Sequence, residues 1–174
     1  MTVSDTIARW LHEKDIRHIF GIVGGGNHAL FDAIARLGKT QIICVHHEQA
    51  AIMAASFYFR TSGHIAVAIV TTGAGSTNAI TGVVSAWMDS TPVIVISGNE
   101  DSRYMEAPTR VWGVQGYASS ELVERVTKES KRITLNDLQV PVTKHLSHLL
   151  KVALAARQGP VWLDLPKDVQ NAVV

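Results

Sequence analysis

The sequence predicts an α/β fold, a doubly wound parallel sheet of about six strands with helices on both faces. Three observations carry this reading. Short apolar runs rich in β-branched residues recur along the chain. Each is followed by Gly, Asn or Ser turn signals and then by a segment with helical spacing. Strands and helices alternate, which argues for one parallel sheet covered on both faces. Right-handed crossovers then bring every strand-to-helix loop to the same edge.

The elements follow in order. Val3, Ile7 and Leu11 share a helical stripe, with Ala8 and Trp10 beside it and Thr2 or Ser4 as the cap. Residues 18–23 read as a strand and Gly24-Gly25-Gly26 as its turn. Asn27 is placed to cap a helix through Leu30, Phe31, Ile34 and Leu37, which Gly38 ends. Residues 41–45 form a buried strand carrying Cys44, and residues 48–61 a helix stopped near Gly63. A third strand, 65–70, enters the loop 71–76, and a helix covers 77–88. The fourth strand spans 92–97, with Pro92 at its first position. Residues 98–120 lose all periodicity, as in a long functional loop. A short helix near 119–126 and a strand near 131–135 follow. In residues 140–156, Val142, Leu146, Leu149, Leu150 and Ala153 share one helical face. Residues 161–165 are the final strand, closed by Pro166. No repeat or linker divides residues 1–174, which we expect to form one domain.

Composition narrows the function. The net charge is +1 with no basic stripe, which disfavours nucleic acid. No apolar run reaches the ~18 residues of a membrane span, and no signal peptide is evident. The single Cys44 excludes a disulfide scaffold and points to a reducing, cytoplasmic compartment, where it reads as a small core hydrophobe. The hydrophobic fraction of 47% implies surface buried within the chain or against a partner.

Three loops on the shared edge hold unusual residues, and the most informative is His46-His47-Glu48-Gln49-Ala50-Ala51. It sets one carboxylate where a strand ends and an Ala-rich helix begins, the place where this architecture binds ligands. With Ile52, Met53 and Ala54 nearby, water should be scarce, which would raise the pKa of Glu48 and suit it to proton exchange. Of His46 and His47, one reads as a packed or hydrogen-bonded core residue and the other as lining the cleft. Adjacent side chains point to opposite faces, so they do not share a metal, and no ligand set for one is seen. Gly24-Gly25-Gly26 admits close backbone approach but is not G-x-G-x-x-G. Thr72-Gly73-Ala74-Gly75-Ser76-Thr77-Asn78 lacks the Lys of a phosphate loop and reads equally well as a glycine turn with caps. Asp89 reads as a turn or cap residue, and Glu121, Glu124, Arg125, Lys128 and Lys131 as a solvated face.

Five segments in this order resemble the pyrimidine-binding domain of thiamine diphosphate enzymes, within them the acetohydroxyacid (acetolactate) synthase group. They are the stretches 18–25, 47–51, 72–78, 86–92 and 159–169, and the similarity runs from about Ile7 to Gln170, almost the whole chain. The resemblance implies that Glu48 bonds to the aminopyrimidine ring and activates the cofactor for decarboxylation of a pyruvate-like 2-oxo acid and carboligation onto a second carbonyl. It implies that Val23, Gly24, Gly25, Thr72, Gly73, Ala74 and Asn78 line the cofactor, and that Gln115 and His47 lie near substrate. The family often has Pro where Val23 and Ala74 stand, and an aromatic residue where Val114 stands, so the substrate is less closely defined than the cofactor.

The family's diphosphate-binding domain carries Gly-Asp-Gly, which is absent from this sequence. The resemblance therefore implies a split subunit whose partner supplies that motif and Mg²⁺, in an α2β2 assembly with two-fold symmetry, while a domain excised from a longer chain would have the same sequence. Two other readings stay open at this stage. One is a split 2-oxo acid decarboxylase of the sulfopyruvate or phosphonopyruvate type that releases an aldehyde. The other is a non-catalytic regulatory module with the same fold.

Overall fold

The computed structural model describes residues 1–105 and 113–174. Helix α1 (Val3–Glu13) leads into β1 (His18–Gly21), α2 (His28–Leu37), β2 (Gln41–Cys44) and α3 (Glu48–Ser62). Then come β3 (Val67–Val70), α4 (Ala74–Met88), β4 (Ile94–Asn99) and the short α5 (Ser102–Met105). The chain closes with α6 (Ser119–Leu122), β5 (Glu129–Arg132), α7 (Val142–Leu154), β6 (Val161–Pro166) and α8 (Lys167–Asn171). The six strands form one sheet in the order β2-β1-β3-β4-β6-β5, every described pairing parallel. The expected doubly wound sheet with helices on both faces is therefore what forms.

Strand alternation divides the core in two. Ile19, Ile69, Ile94, Ile96 and Leu163 face a cluster with Ile7, Trp10, Leu11, Leu30, Ile34, Leu146 and Leu149 from α1, α2 and α7. Phe20, Ala68, Val70, Val95 and Trp162 face Ile52, Ala55, Ala79, Val83 and Ala86 from α3 and α4. Each large side chain removed from water contributes about 1.5–3 kcal/mol. The glycine stops act as expected, with Gly38 and Gly63 ending α2 and α3 at φ 63° and 73°.

Several boundaries and environments differ from expectation. Thr2 rather than Ser4 caps α1: Thr2 and Asp5 exchange reciprocal bonds, while the Ser4 hydroxyl donates to Gln170 O at 3.0 Å. Strand β2 lies at the edge of the sheet, so Cys44 is exposed rather than a core hydrophobe. Helix α4 begins at Ala74, three residues before the expected start, because Gly73 turns the chain directly into it. Strand β4 starts after Pro92 and runs on through Gly98 and Asn99, which pair with Leu165 and Pro166. The stretch near 119–126 splits into α6 and a 3₁₀ turn, Glu124–Val126. Strand β5 sits earlier than expected, because Thr134 and Asp137 form a capping box for a 3₁₀ turn, Leu135–Gln139.

The topology creates a crevice. From β1 the chain moves outward to β2, then returns across β1 to β3. The loops leaving β1 and β3 therefore diverge from adjacent strands at their carboxyl ends, the switch point of an open α/β sheet.

Candidate functional site at the switch point

The first part of the site is the entry to α3. His47 caps this helix, its Nδ1 accepting from Gln49 N at 3.3 Å. Both His46 and His47 are exposed, so neither is a core histidine. Glu48 opens the helix and is only 8% exposed. Its neighbours on α4 explain this burial. Asn78 Nδ2 donates to Glu48 Oε2 at 3.1 Å, and a Cβ on Gly75 would stand 3.2 Å from Oε1. Oε1 accepts no hydrogen bond from the described residues, so one face of the carboxylate is held and the other is free to bond. As the first residue of α3, Glu48 also complements the positive end of the helix dipole.

The second part is the exit from β3. Gly73 adopts φ 66° and ψ −120°, a conformation that favours glycine. No side chain caps α4, and Gly75 N donates to Thr72 O at 3.3 Å, which leaves the N–H groups of Ala74 and Ser76 for a polar ligand atom. Thr71 ties this turn to the loop after β1. Its hydroxyl accepts from Gly26 N at 3.2 Å, and its side chain fills the space where a Cβ on Gly24 or Gly75 would stand. Asn27 braces the same loop by accepting from Gly24 N at 2.8 Å and donating to Ile22 O at 3.0 Å. At the α2 N-cap position its carbonyl accepts from Phe31 N at 3.2 Å, but its side chain makes no capping bond to the helix. Val23 is 52% exposed, and a Cβ on Gly25 would meet nothing within 4 Å, so both lie on the open rim.

The third part is the aperiodic segment. A 3₁₀ turn, Gly113–Gln115, crosses the β3 exit. The Gln115 carboxamide lies about 2.9 Å from where a Cβ on Gly73 would stand. Thr72 Oγ1 lies 2.9 Å from Gln115 O and 3.1 Å from Asn99 Oδ1. Tyr117 OH donates to Gly73 O at 3.2 Å. Val111 and Trp112, which precede this turn, lie outside the described residues.

Of the expected site residues, the structure joins Glu48 with Asn78, and Thr72 and Gly73 with Gln115. Ala74 is exposed on the first turn of α4 between these pairs. Val23, Gly24 and Gly25 share the rim, and His47 touches none of the others through a hydrogen bond. Thr71, Asn99 and Tyr117 were missed. For Thr71 the sequence offers only a β-branched residue at a strand end, and the glycines it meets are brought to it by the fold. Asp89 is the C-cap of α4, as expected, and pairs with Arg60 at 3.3 Å. Among the described residues no group of three His, Cys, Asp or Glu could hold a metal, and no helix is long and apolar enough to cross a membrane. The groove is open to solvent. A separate cavity of about 590 Å³ between α1 and α2 is lined by Met1, Asp5, Arg36 and Leu37, and no strand-to-helix loop contributes to it.

The family described as thiamine pyrophosphate enzyme, N-terminal TPP binding domain, matches residues 1–123. The acetolactate synthase large subunit of Buchnera aphidicola (subsp. Schizaphis graminum) is 36% identical over 170 residues, covering 95% of this chain and 28% of that protein. Acetolactate synthase isozyme 3 large subunit of Escherichia coli is 33% identical, covering 97% of this chain and 28% of that protein. A probable acetolactate synthase large subunit of Methanocaldococcus jannaschii is 32% identical, covering 100% and 28%. The chain thus spans about 28% of the length of the relatives it matches.

Proposed function

The chain belongs to the thiamine pyrophosphate enzyme family through its N-terminal TPP binding domain, and from that premise we propose that it holds and activates the cofactor's pyrimidine in an acetolactate synthase-like enzyme. The observation that carries this is Glu48: a buried carboxyl, fixed at Oε2 by Asn78, with Oε1 free to bond at the switch point. Those residues fit an aminopyrimidine. Glu48 presents one oxygen to a ring nitrogen and shares a proton with it, and burial keeps water from competing. Val23, Gly24 and Gly25 form one wall. Thr72, Gly73, Ala74 and Asn78 form the other, with the uncapped start of α4 between them. Gln115 and His47 take the substrate side. Thiamine diphosphate, when bound, supplies the electron sink for decarboxylating a pyruvate-like 2-oxo acid and transferring the remaining acyl unit to a second carbonyl.

A separate subunit with Gly-Asp-Gly would hold the diphosphate and Mg²⁺, giving an α2β2 enzyme in the cytoplasm. Exposed apolar side chains on the outer faces of α3 and α4, with Arg60 over the Phe57 ring, support such a partner. Phe57 and Met88 are 60% and 71% exposed, Val84 adds to the patch, and α4 contains no ionisable residue. The test is Glu48→Gln in the assembled enzyme. Turnover should fall by about 10²–10⁴-fold with cofactor still bound; full turnover in this variant would refute the assignment. Product analysis with pyruvate, alone and with carbonyl acceptors, separates carboligation from simple aldehyde release.

A further inference from the structure

Gly113, Val114 and Gln115 are exposed, so apolar burial does little to hold them. Polar contacts do this instead. Asn99 Nδ2 donates to Tyr117 O at 3.2 Å. Thr72 Oγ1 shares its proton between Gln115 O and Asn99 Oδ1, and Tyr117 OH donates to Gly73 O. One of these attachments, the bond to Tyr117 O, is made by a buried amide that also faces the Thr72 hydroxyl. Asn99 is 2% exposed, and its Nδ2 also lies 3.0 Å from both carboxylate oxygens of Asp164. Its Oδ1 accepts from Glu100 N at 2.9 Å as well.

Asp164 is fully buried on β6. It accepts from Ser97 Oγ at 2.9 Å and faces Arg132 Nε at 3.6 Å. Burial pushes the Asp164 carboxyl up, against the pull of the Asn99 and Ser97 bonds and the Arg132 charge. A buried acid of this kind persists only where its donors are fixed. It therefore orients the Asn99 amide, with nitrogen toward Asp164 and oxygen toward Thr72. That orientation sets where residues 113–117 lie, and hence where the Gln115 carboxamide sits above Gly73.

We propose that Asp164 and Asn99 are positioning residues for the substrate side of the site: Asn99, oriented by Asp164, holds Tyr117 O and so clamps residues 113–117 and fixes Gln115 over Gly73, with the Tyr117 hydroxyl bond to Gly73 O as a second, independent tie. This rests on the function proposed above. A substrate entering the groove then meets an amide already in place, without the cost of ordering the segment on binding.

Tyr117→Phe removes one clamp bond and keeps the ring, whereas Asn99→Leu removes the node. In the full chain, amide hydrogen exchange over residues 113–118 should rise about fivefold in Tyr117→Phe, with α7 unchanged. In the assembled enzyme the KM for the 2-oxo acid should rise about fivefold, with kcat and cofactor affinity within about twofold. Asn99→Leu should exceed both effects and is the arm that tests the Asp164–Asn99 node; if it fails to fold, Asn99→Ser, which also lacks the Nδ2 donor to Tyr117 O, takes its place. Unchanged exchange overturns the clamp, and raised exchange with unchanged KM overturns its role at the substrate. An assembled enzyme indifferent to thiamine diphosphate would refute the proposed function, while the exchange measurement would still support or overturn the clamp.

Discussion

Gly98→Ala tests how tightly the sheet supports the groove. Gly98 pairs with Leu165 inside β4, and a Cβ there would stand 2.0 Å from Gly26 O, 2.4 Å from Gly26 C and 2.8 Å from Asn27 Cβ. Two of those contacts are backbone, so no rotamer change relieves them. The loop after β1 must retreat by more than about 1 Å, and packing this dense transmits such a shift. Gly26 O also accepts from the buried Gln170 Nε2 at 2.6 Å, a bond that the retreat breaks. Overpacking costs about 1–3 kcal/mol. Leaving a buried polar group without its partner costs about 1–3 kcal/mol more. A loss near 4 kcal/mol follows, and at about 2–4 °C per kcal/mol for a chain of this size the Tm should fall by about 8–16 °C. Urea unfolding followed by fluorescence of the buried Trp10 and Trp162 measures it, with the m-value unchanged. Gly25→Ala is the control. It meets nothing within 4 Å, and its stability should stay within about 0.5 kcal/mol. Gly98→Ala matching Gly25→Ala in stability would refute the reasoning.

Acid should weaken two capping boxes. Thr2 bonds hold the Asp5 carboxyl below its usual range; for Asp137 the Thr134 bonds and Lys131 outweigh burial and do the same. A depressed folded pKa gives stability that is present above the unfolded value of 3.8 and lost as pH falls through the folded one. Asp137→Asn should therefore cost about 0.5–1 kcal/mol at pH 7, and the difference should vanish well below pH ~4 in urea titrations. A pH-independent difference would show that the carboxylate charge is not what matters. Asp164 has the opposite sign: its raised pKa gives stability that is present at low pH and lost as pH rises through the folded value. Asn78→Asp sets a second carboxylate about 3.1 Å from Glu48 in place of a donor. Thiamine diphosphate affinity, followed by calorimetry in the assembled enzyme, should fall at least about tenfold at pH ~8 and recover in part at pH ~5.5. Unchanged affinity would mean that the Glu48 carboxyl does not meet the cofactor.

Much of the groove was legible because its signals are local. The Glu48 junction is a strand end meeting a helix start, and both halves lie within a dozen residues. Gly38 and Gly63 mark helix ends because few other residues adopt a left-handed backbone cheaply. The Asn78–Glu48 bond was not legible, since it joins residues 30 apart through the packing of α3 on α4. Thr71 reads as any strand-end threonine until the loop after β1 is laid against it. The loss of periodicity from Gly98 onward places Asn99 in a loop. Pairing with β6 keeps it in the sheet, where Asp164 can reach it.

By itself the sequence determined the strands, the long helices α1, α2, α3, α4 and α7, their order and the rim on which their loops gather, but not the short α5 and α8. Periodicity, caps and the handedness of crossovers are near-neighbour physics. Only the tertiary structure decided which loops became neighbours. An edge strand and a central strand can have the same apolar run, and the expectation for Cys44 failed for that reason. Strand order comes from contacts between distant segments, so the pairing of Glu48 with Asn78 and the clamp from Asp164 to Gln115 exist only once the sheet has assembled.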